Sequence, residues 1–349
     1  MQQGAGKPAP IGTSPVRRYI AKRLLMLVPV LLGASLVIFA LIRLIPGDAA
    51  LVMLGARARP DSIQQFNQRY GLDQPLPVQY LLWLSNVVQG DLGDSLRTHQ
   101  PVLKELLARL PHTIELSFFS ILIGALAGLV LGVLAAIHRN QPLDYLTTIT
   151  ALIGLCIPVF WLALMLILLF SVGLGWLPAG GRLAYQLRVQ SLSGFPLLDS
   201  LLTGNCAAFV DLLKHILMPA FVLATPTIAI TASMTRSSML EVMGQDYIRT
   251  ARAKGLKEQL VISRHALRNA LMPVITTLGL DVGWLLGGAV VTESIFAWPG
   301  VGRFVFESIK DRDYPAIQAS VLFIVTVFVT VNLLVDLLYA YVNPRIRYE

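Results

Sequence analysis

Charged residues are scarce in this chain of 349 residues. Asp, Glu, Lys and Arg together make up 14% of the sequence, whereas hydrophobic residues make up 55%. A soluble domain carries about 25% charged residues, because water must solvate its surface. The composition therefore excludes a soluble globular protein and predicts an all-α integral membrane protein.

Cysteine and histidine are also few. Cys156 lies inside an apolar run and Cys206 lies in a loop beyond it, so no disulfide framework is expected. The five histidines have no spacing that would bring several of them onto one ion. We therefore expect neither a structural metal site nor a cofactor bound by this chain itself.

Sequence motifs of hydrolytic enzymes are missing as well. The sole Gly-Lys pair, Gly6-Lys7, is followed by Pro8 and has no glycine five positions upstream, so it is not a P-loop. Neither H-E-x-x-H nor G-x-S-x-G occurs. The sequence predicts a chain that is not an enzyme and does not hydrolyse ATP by the P-loop route.

Six apolar runs are long enough to cross a bilayer, since about 20 helical residues span a hydrocarbon core of roughly 30 Å. The first occupies residues 24–45, and an outer subdomain, residues 46–112, follows it. The other five form a core over residues 113–339. They are predicted at 113–137, 147–172 with a kink at Pro158, 216–234, 272–291 and 316–339.

Lys and Arg are concentrated in alternate loops. The predicted inner segments, 1–23, 138–144, 235–269 and 343–349, hold 15 Lys and Arg in 72 positions. The predicted outer segments, 46–112, 173–215 and 292–315, hold 12 in 134. Positively charged loops stay in the cytoplasm, so the tails 1–23 and 340–349 are both predicted to be cytoplasmic. Membrane topology thus explains the net charge of +8, and no nucleic-acid partner is expected.

The basic loop, residues 235–273, separates the fourth and fifth predicted spans. It holds seven Lys and Arg against three acids. Residues 245–254 are rich in helix formers, and Gly255 can turn the chain at low steric cost. We therefore predict a helix that ends in a glycine elbow.

A second helix of the basic loop is predicted at residues 257–271. Its apolar stripe would consist of Leu260, Leu267 and Leu271, with Arg264 and Arg268 on another face. Pro273 would limit its extension, because proline cannot donate a helical hydrogen bond.

The fifth predicted span has two distinct faces. Gly279, Gly283 and Gly287 recur every four residues, a small-residue pattern that lets membrane helices approach closely. Asp281 and Trp284 lie roughly opposite. An ionised Asp at a span centre costs on the order of 2.5 to 3.5 kcal/mol, so it should face a wet cavity or a partner. Two interpretations stay open: Asp281 and Trp284 line a pathway, or Asp281 joins two helices by a hydrogen bond.

Several motifs of this chain resemble those of one protein family. Residues 246–273, with Ala251, Gly255 and Pro273, resemble the EAA loop of the membrane permeases of binding-protein-dependent ABC importers, although Arg249 stands where that family often has Glu. The peptide and nickel subgroup is indicated by IPGD at 45–48, GDLGDS at 90–95, FAWPGVG at 296–302 and NPRIR at 343–347. The resemblance implies a type I importer permease fold.

In that family the EAA loop docks into a groove on a cytoplasmic ATPase. The resemblance implies that the ATPase-coupling residues here are Asp246, Tyr247, Arg249, Thr250, Ala251, Arg252, Ala253, Lys254 and Gly255. Arg249 and Arg252 would pair with acids of the ATPase, or alternatively with phosphate headgroups of lipid, and Gly255 would set the elbow.

The resemblance also implies a set of partners in the bacterial cytoplasmic (inner) membrane. These are a second, homologous permease that completes a heterodimer, two ATP-binding subunits that hold ATP and Mg²⁺, and a periplasmic or lipid-anchored binding protein. Dipeptides are the first choice of cargo, and longer peptides, glutathione and nickel are alternatives.

A function of a different class is a stand-alone secondary transporter or channel. In that case the basic loop would simply lie on the lipid surface. The glycine elbow between two helices and the absence of inverted repeats favour the importer permease.

Overall fold

The computed structural model describes residues 14–44, 59–61, 64 and 73–342, with the backbone alone for 14–22, 284, 286–288 and 338–342. Within these ranges the secondary structure is helical, apart from one isolated bridge between Asp94 and Pro101. Four described helices are long and apolar enough to cross a bilayer, and one bent pair of helices brings the number to five. The predicted all-α membrane fold is confirmed at this level.

Thirteen α-helices are described along the chain, within the described ranges. They are α1 (Ser14–Leu44), α2 (Leu76–Val88), α3 (Val102–Ile137), α4 (Pro142–Cys156), α5 (Val159–Leu166), α6 (Pro196–Leu202), α7 (Cys206–Met243), α8 (Asp246–Ala253), α9 (Glu258–Leu260), α10 (Arg268–Gly288), α11 (Val290–Ile295), α12 (Val301–Lys310) and α13 (Tyr314–Val342). Two π-helical segments, Ile167–Gly173 and Val261–Leu267, continue α5 and join α9 to α10.

The second and fourth predicted spans are parts of longer helices. Helix α3 begins 11 residues before the predicted span and passes through Pro111, so the boundary at residue 112 falls inside a helix. Helix α7 passes through Pro219 and Pro226 and continues to Met243. Membrane helices tolerate internal proline where neighbouring groups satisfy the freed backbone carbonyls.

The third predicted span is broken rather than kinked. Helix α4 ends at Cys156 and α5 starts at Val159, and the two segments are bent by 103°. Ile157 takes an extended conformation, with ψ at 126°. This is the backbone region to which a following proline restricts a residue, so Pro158 ends the helix outright. The prediction of one kinked helix over 147–172 is therefore wrong.

Helices α3 and α7 pack along a seam, and on that seam α3 contributes mainly glycines. Three glycines of α3 face three threonines of α7 at the same four-residue spacing: Gly124, Gly128 and Gly132 against Thr227, Thr231 and Thr235. A Cβ atom at Gly128 would lie 2.6 Å from Thr231 Cβ, closer than real Cβ contacts. Residue numbers rise together on both sides, so the two helices run parallel.

This parallel pair defines two ends of the molecule. The first turns of α7 contact α6, and Leu116 of α3 lies in the same buried cluster as Leu212 and Trp298. At the other end Ala136 of α3 packs with Met239 of α7 and with the basic loop. The 38 residues of α7 rise roughly 57 Å at about 1.5 Å per residue, so the two ends are far apart.

The segment 292–315, predicted as a loop, is mainly helical. Helices α11 and α12 are joined by the FAWPGVG turn, and Asp313 leads directly into α13. Tryptophan is often found at the membrane–water interface, but only 1% of the surface of Trp298 in that turn is exposed. It packs inside the protein instead.

Gly128→Val is expected to destabilise the protein strongly, because the added side chain must displace Thr231 or separate α3 from α7. Overpacking of this kind costs about 1 to 3 kcal/mol. Gly154→Val is the matched control, since it makes the same exchange in a helix where a Cβ meets no atom within 4 Å. Thermal unfolding of the purified protein in detergent measures the difference, and equal midpoints for the two variants would contradict the seam.

Candidate functional site

The first helix and the elbow of the basic loop have the expected geometry. Residues 235–243 continue α7, and α8 covers Asp246–Ala253, which confirms the helix predicted at 245–254. Gly255 follows with φ at +75°, a conformation that residues with a Cβ rarely adopt. The glycine is thus required by the backbone at the point where the chain turns.

The second helix of the basic loop does not stop at Pro273. From Glu258 the chain passes through α9 and the π-helical segment into α10, which includes Pro273 and ends only at Gly288. The predicted stop is wrong. The inner helix and the fifth predicted span therefore form one continuous helical rod.

The buried stripe of this rod also differs from the predicted one. Val261, Ala266 and Ala270 are buried, whereas Leu260 is 39% exposed and Leu267 and Leu271 are half-buried. The step from Val261 to Ala266 is five residues, the repeat of a π-helix, so the face that packs inward is shifted from the α-helical expectation.

Helix α8 is fixed to the bundle by its apolar face. Ile248 and Ala251 are buried in a cluster with Met239 of α7 and Ala136 of α3. Asn269 of α10 donates a hydrogen bond to the hydroxyl of Tyr247 at 2.9 Å. The helix is therefore attached to three elements of the membrane bundle at once.

The other residues of α8, with Lys254 and Gly255 that follow it, form an exposed surface, which we call the coupling face. It consists of Asp246, Tyr247, Arg249, Thr250, Arg252, Ala253, Lys254 and Gly255. Of the nine predicted coupling residues, only Ala251 points inward. Charged, polar and small groups are thus presented together to the solvent at the end of the molecule that holds the basic loop.

Arg252 already has a partner within the chain. Its guanidinium contacts both carboxylate oxygens of Glu258, at 2.6 and 3.1 Å, across the Gly255 elbow. The hydrogen bond from Arg252 lowers the pKa of Glu258, as expected for a carboxylate beside a cation. Arg249 lies 3.3 Å from Asp246 and its side chain is 74% exposed, so it is the more available of the two arginines.

A second ion pair ties the first turn of α4 to α7. Arg236 reaches both oxygens of Asp144 at 2.6 and 2.8 Å, and the backbone nitrogen of Asn140 also donates to Asp144. Neither Asp144 nor Glu258 stands out in the sequence, because each is a single acid near basic residues. The Gly124, Gly128 and Gly132 stripe, by contrast, is visible in the sequence as a repeat.

The fifth predicted span shows close packing at one of its glycines. A Cβ atom at Gly283 would collide with the side-chain amide of Asn332 in α13. Gly279 is half-buried, and for Gly287 and Trp284 the surroundings lie outside the described residues. Asp281 is half-buried and hydrogen-bonded to Thr227, while its Oδ2 atom accepts no hydrogen bond from the described residues. Its role in a pathway stays a prediction.

The FAWPGVG turn, at the end of the molecule opposite the basic loop, is built around a buried carboxylate, Glu293. Thr113 donates to Glu293 Oε1 at 2.7 Å, and the backbone nitrogen of Arg303 donates to Oε2 at 3.0 Å. A Cβ atom at Gly300 would collide with this carboxylate, and one at Gly302 would lie 2.7 Å from Val290 Cα. Both glycines of the motif are therefore needed for the carboxylate to fit.

The GDLGDS motif also contacts a buried carboxylate. Ser95 Oγ and the backbone nitrogen of Leu96 donate to Asp313 Oδ2 at 2.6 and 2.9 Å. Asp313 in turn accepts a hydrogen bond from the nitrogen of Ala316 in the first turn of α13. The motif thus fixes the outer subdomain to the last helix. The IPGD and NPRIR motifs lie outside the described residues.

Comparison with known protein families matches this chain to one of them. Residues 128–348 match the model of the binding-protein-dependent transport system inner membrane component, and residues 16–117 match the model of the N-terminal region of that component. The chain belongs to this family of membrane permeases. As an inner-membrane component, this permease works in a transport system that depends on a binding protein.

Relatives of this permease are similar over nearly their whole length. A dipeptide transport system permease protein of Alkalihalophilus pseudofirmus is 47% identical over 330 residues, covering 95% of this chain and 99% of the relative. A di/tripeptide permease protein of Pseudomonas aeruginosa is also 47% identical, over 332 residues with the same coverage. An oligopeptide permease protein of Bacillus subtilis is 43% identical over 331 residues, again with the same coverage.

The stability of this permease is expected to fall as pH rises toward neutrality because of Glu293. Burial raises the pKa of Glu293 from 4.5 to about 7, so the folded protein holds this proton more tightly than the unfolded chain does. The stabilisation is complete below about pH 4.5 and is lost as pH rises through about 7.

Glu293→Gln keeps an acceptor for Thr113 and is expected to remove most of this pH dependence. Thermal unfolding between about pH 5 and pH 8 measures it, and Glu241→Gln, at an exposed site on α7, serves as the control. An unchanged pH profile in Glu293→Gln would show that another group causes the effect.

Proposed function

We propose that this permease forms half of the translocation pathway of an ATP-driven peptide importer, with dipeptides as the first choice of cargo. The observation that carries the proposal is the coupling face, a solvent-exposed polar surface on a helix that is attached to three elements of the bundle. A basic loop that merely lay on lipid would not need this attachment.

The geometry supports a mechanical role for the basic loop. A force on the coupling face reaches α3 and α7 through Ile248 and Ala251, and it reaches α10 through the hydrogen bond between Tyr247 and Asn269. The pair Arg252 and Glu258 holds the elbow closed, so α8 and the rod that leads into α10 move together. Helix α10 carries Asp281, the candidate lining residue.

The energy source and the other subunits follow from this role. Two separate ATPase subunits would bind ATP and Mg²⁺ and contact the coupling face, and a homologous second permease would complete a heterodimeric pore. A periplasmic or lipid-anchored binding protein would deliver the peptide. This chain itself would perform no chemistry.

The arrangement in the membrane is proposed to be that of a type I importer permease with six spans. Helix α10 would then supply the sixth span beside the five candidates, and both termini would be cytoplasmic. The Arg and Lys distribution supports this orientation, with the coupling face inside and the FAWPGVG turn outside.

Other cargoes remain alternatives for the same machinery. A relative with 43% identity is named for oligopeptides, so longer peptides are the second choice, followed by glutathione and nickel. Within the described residues no group of three or more His, Cys, Asp or Glu is placed to hold a metal ion. A secondary transporter would leave the coupling face without a role.

Gly255→Asp, or Gly255→Arg, is expected to leave membrane insertion intact and to abolish ATP-driven dipeptide uptake. A residue with a Cβ at φ +75° costs on the order of 1 kcal/mol, so the chain relaxes and the angle between α8 and the following helix changes. Uptake and ATPase activity of the complex, purified through a tag on this chain, are the measurements.

Gly204→Asp is the matched control, because Gly204 has φ at +67° and open space around its Cβ position but lies at the outer end. It should support normal uptake. Normal uptake by Gly255→Asp, or an equal loss in both variants, would contradict the role of the elbow.

The orientation can be tested with single cysteines in a variant without Cys156 and Cys206. A membrane-impermeant maleimide is expected to label Ser191→Cys from outside the cell and Ser263→Cys only after the membrane is opened. Both serines are exposed in the protein. Labelling of Ser263→Cys in intact cells would overturn the proposed topology.

A further inference from the structure

A cavity of about 480 Å³ lies at the outer end, between the start of α3 and the segment that leads into α6. Its walls include Leu107 and Pro111 of α3 and Val189 and Pro196 on the opposite side. Three ionisable side chains also line it: His112, Arg182 and Asp199. An apolar recess with a few polar groups is typical of sites for small ligands, which occupy about 300 to 1,000 Å³.

Arg182 enters the cavity without a carboxylate partner among the described residues. Its Nη1 atom lies 2.9 Å from a ring nitrogen of His112, which orients the guanidinium. Burial lowers the pKa of Arg182, while the charges of Glu115 and Asp199 act in the opposite direction. Both acids are therefore near enough to attract Arg182, yet neither pairs with it.

The two acids each keep one oxygen without a hydrogen bond. Asp199 is 1% exposed, and its Oδ1 atom accepts hydrogen bonds from the nitrogen and the hydroxyl of Ser193, while Oδ2 accepts none from the described residues. Glu115 accepts from the nitrogen of Leu197 through Oε1, and its Oε2 atom is likewise without a partner there. A buried polar atom left unpaired costs about 1 to 3 kcal/mol. Of the two acids only Asp199 lines the cavity, so its Oδ2 atom is the one available to a ligand there.

We propose that this cavity binds a short zwitterionic peptide on its way into the pore. Arg182 takes the carboxylate of the peptide, and Asp199 takes the ammonium group. This inference rests on the proposed function and adds a binding site in the permease itself.

The charge pattern favours a zwitterion over a simple ion. An anion would satisfy Arg182 but leave Asp199 Oδ2 unpaired, and a cation would satisfy Asp199 but leave Arg182 unpaired. An extended dipeptide measures roughly 7 Å between its ends at about 3.5 Å per residue, which fits a cavity of this volume. The apolar walls are then available to its side chains.

The cavity is connected to the FAWPGVG turn through residues at the start of α3. His112, which contacts Arg182, also accepts the hydrogen bond of Trp298 Nε1 through its backbone carbonyl at 3.0 Å. The next residue, Thr113, is bonded to Glu293. A peptide held by Arg182 therefore sits one side chain away from the FAWPGVG turn.

The test is protection of Ser191→Cys, at the cavity lining, from a membrane-impermeant maleimide. The variant is prepared without Cys156 and Cys206, and the assay uses the purified importer complex in nanodiscs without the binding protein. A dipeptide with free termini should slow labelling. The same peptide with an amidated carboxyl group, or with an acetylated amino group, should need at least about tenfold higher concentration, because each has lost one charged hydrogen-bonding group.

Arg182→Ala should raise the protecting concentration of the free dipeptide at least about tenfold, and Arg182→Lys should lie between it and the parent protein because lysine keeps the charge without the planar fork. Arg188→Ala, an exposed arginine of the same segment, is the matched control and should change nothing.

The outcomes separate this inference from the proposed function. If the complex imports the dipeptide with its binding protein but the dipeptide gives no protection, the cavity is not a peptide site and the importer function stands. If protection survives in Arg182→Ala, the role of the guanidinium is refuted. If the complex neither imports nor protects, both proposals fail.

Discussion

The close approach of α3 and α7 is the constraint on which the other contacts depend. The three glycines of α3 contribute no side chains to the interface, so the threonines of α7 pack directly against the backbone of α3. In lipid, apolar surface alone does not drive helices together, and small residues at an interface gain dispersion contacts and close packing instead. Because the helices are parallel, one seam joins the end that holds the basic loop to the end that holds the cavity.

Two buried carboxylates, Glu293 and Asp313, join elements at the end of the molecule opposite the basic loop. Glu293 receives hydrogen bonds from α3 and from the start of α12, and Asp313 receives them from the GDLGDS segment and from α13. Each acid thus joins parts of the chain that are far apart in sequence. Gly300 and Gly302 of the FAWPGVG motif leave room beside Glu293, and Ser95 of the GDLGDS motif donates a hydrogen bond to Asp313.

Sequence patterns predicted the all-α class, the long apolar helices α1, α3, α7 and α13, the short helix α8 and the Gly255 elbow, since these depend on local composition and on one backbone conformation. They did not predict that α3 extends back to Val102, that Pro158 breaks the third span, or that the chain runs unbroken through Pro273. Proline has opposite outcomes at these positions because the surrounding packing, and not the proline alone, decides whether a helix continues. The π-helical segment is a similar case. Val261, and not Leu260, faces inward because the inward face of this segment repeats after five residues, a step that an α-helical pattern does not predict. Glu258, Asp144 and Glu293 acquire their partners only through folding.

The break between α4 and α5 has a consequence for the surroundings of the protein. Helix α4 has 15 residues, which rise roughly 22 Å, less than the roughly 30 Å of a hydrocarbon core, so Ile157 and Pro158 fall within the depth of that core when α4 begins at a membrane surface. Non-helical backbone is stable at that depth only where protein covers it or water reaches it. Cys156 and Pro158 are exposed in the single chain. This face of the molecule is therefore unsuited to contact with acyl chains. In a bilayer it has to be covered by another polypeptide or reached by water.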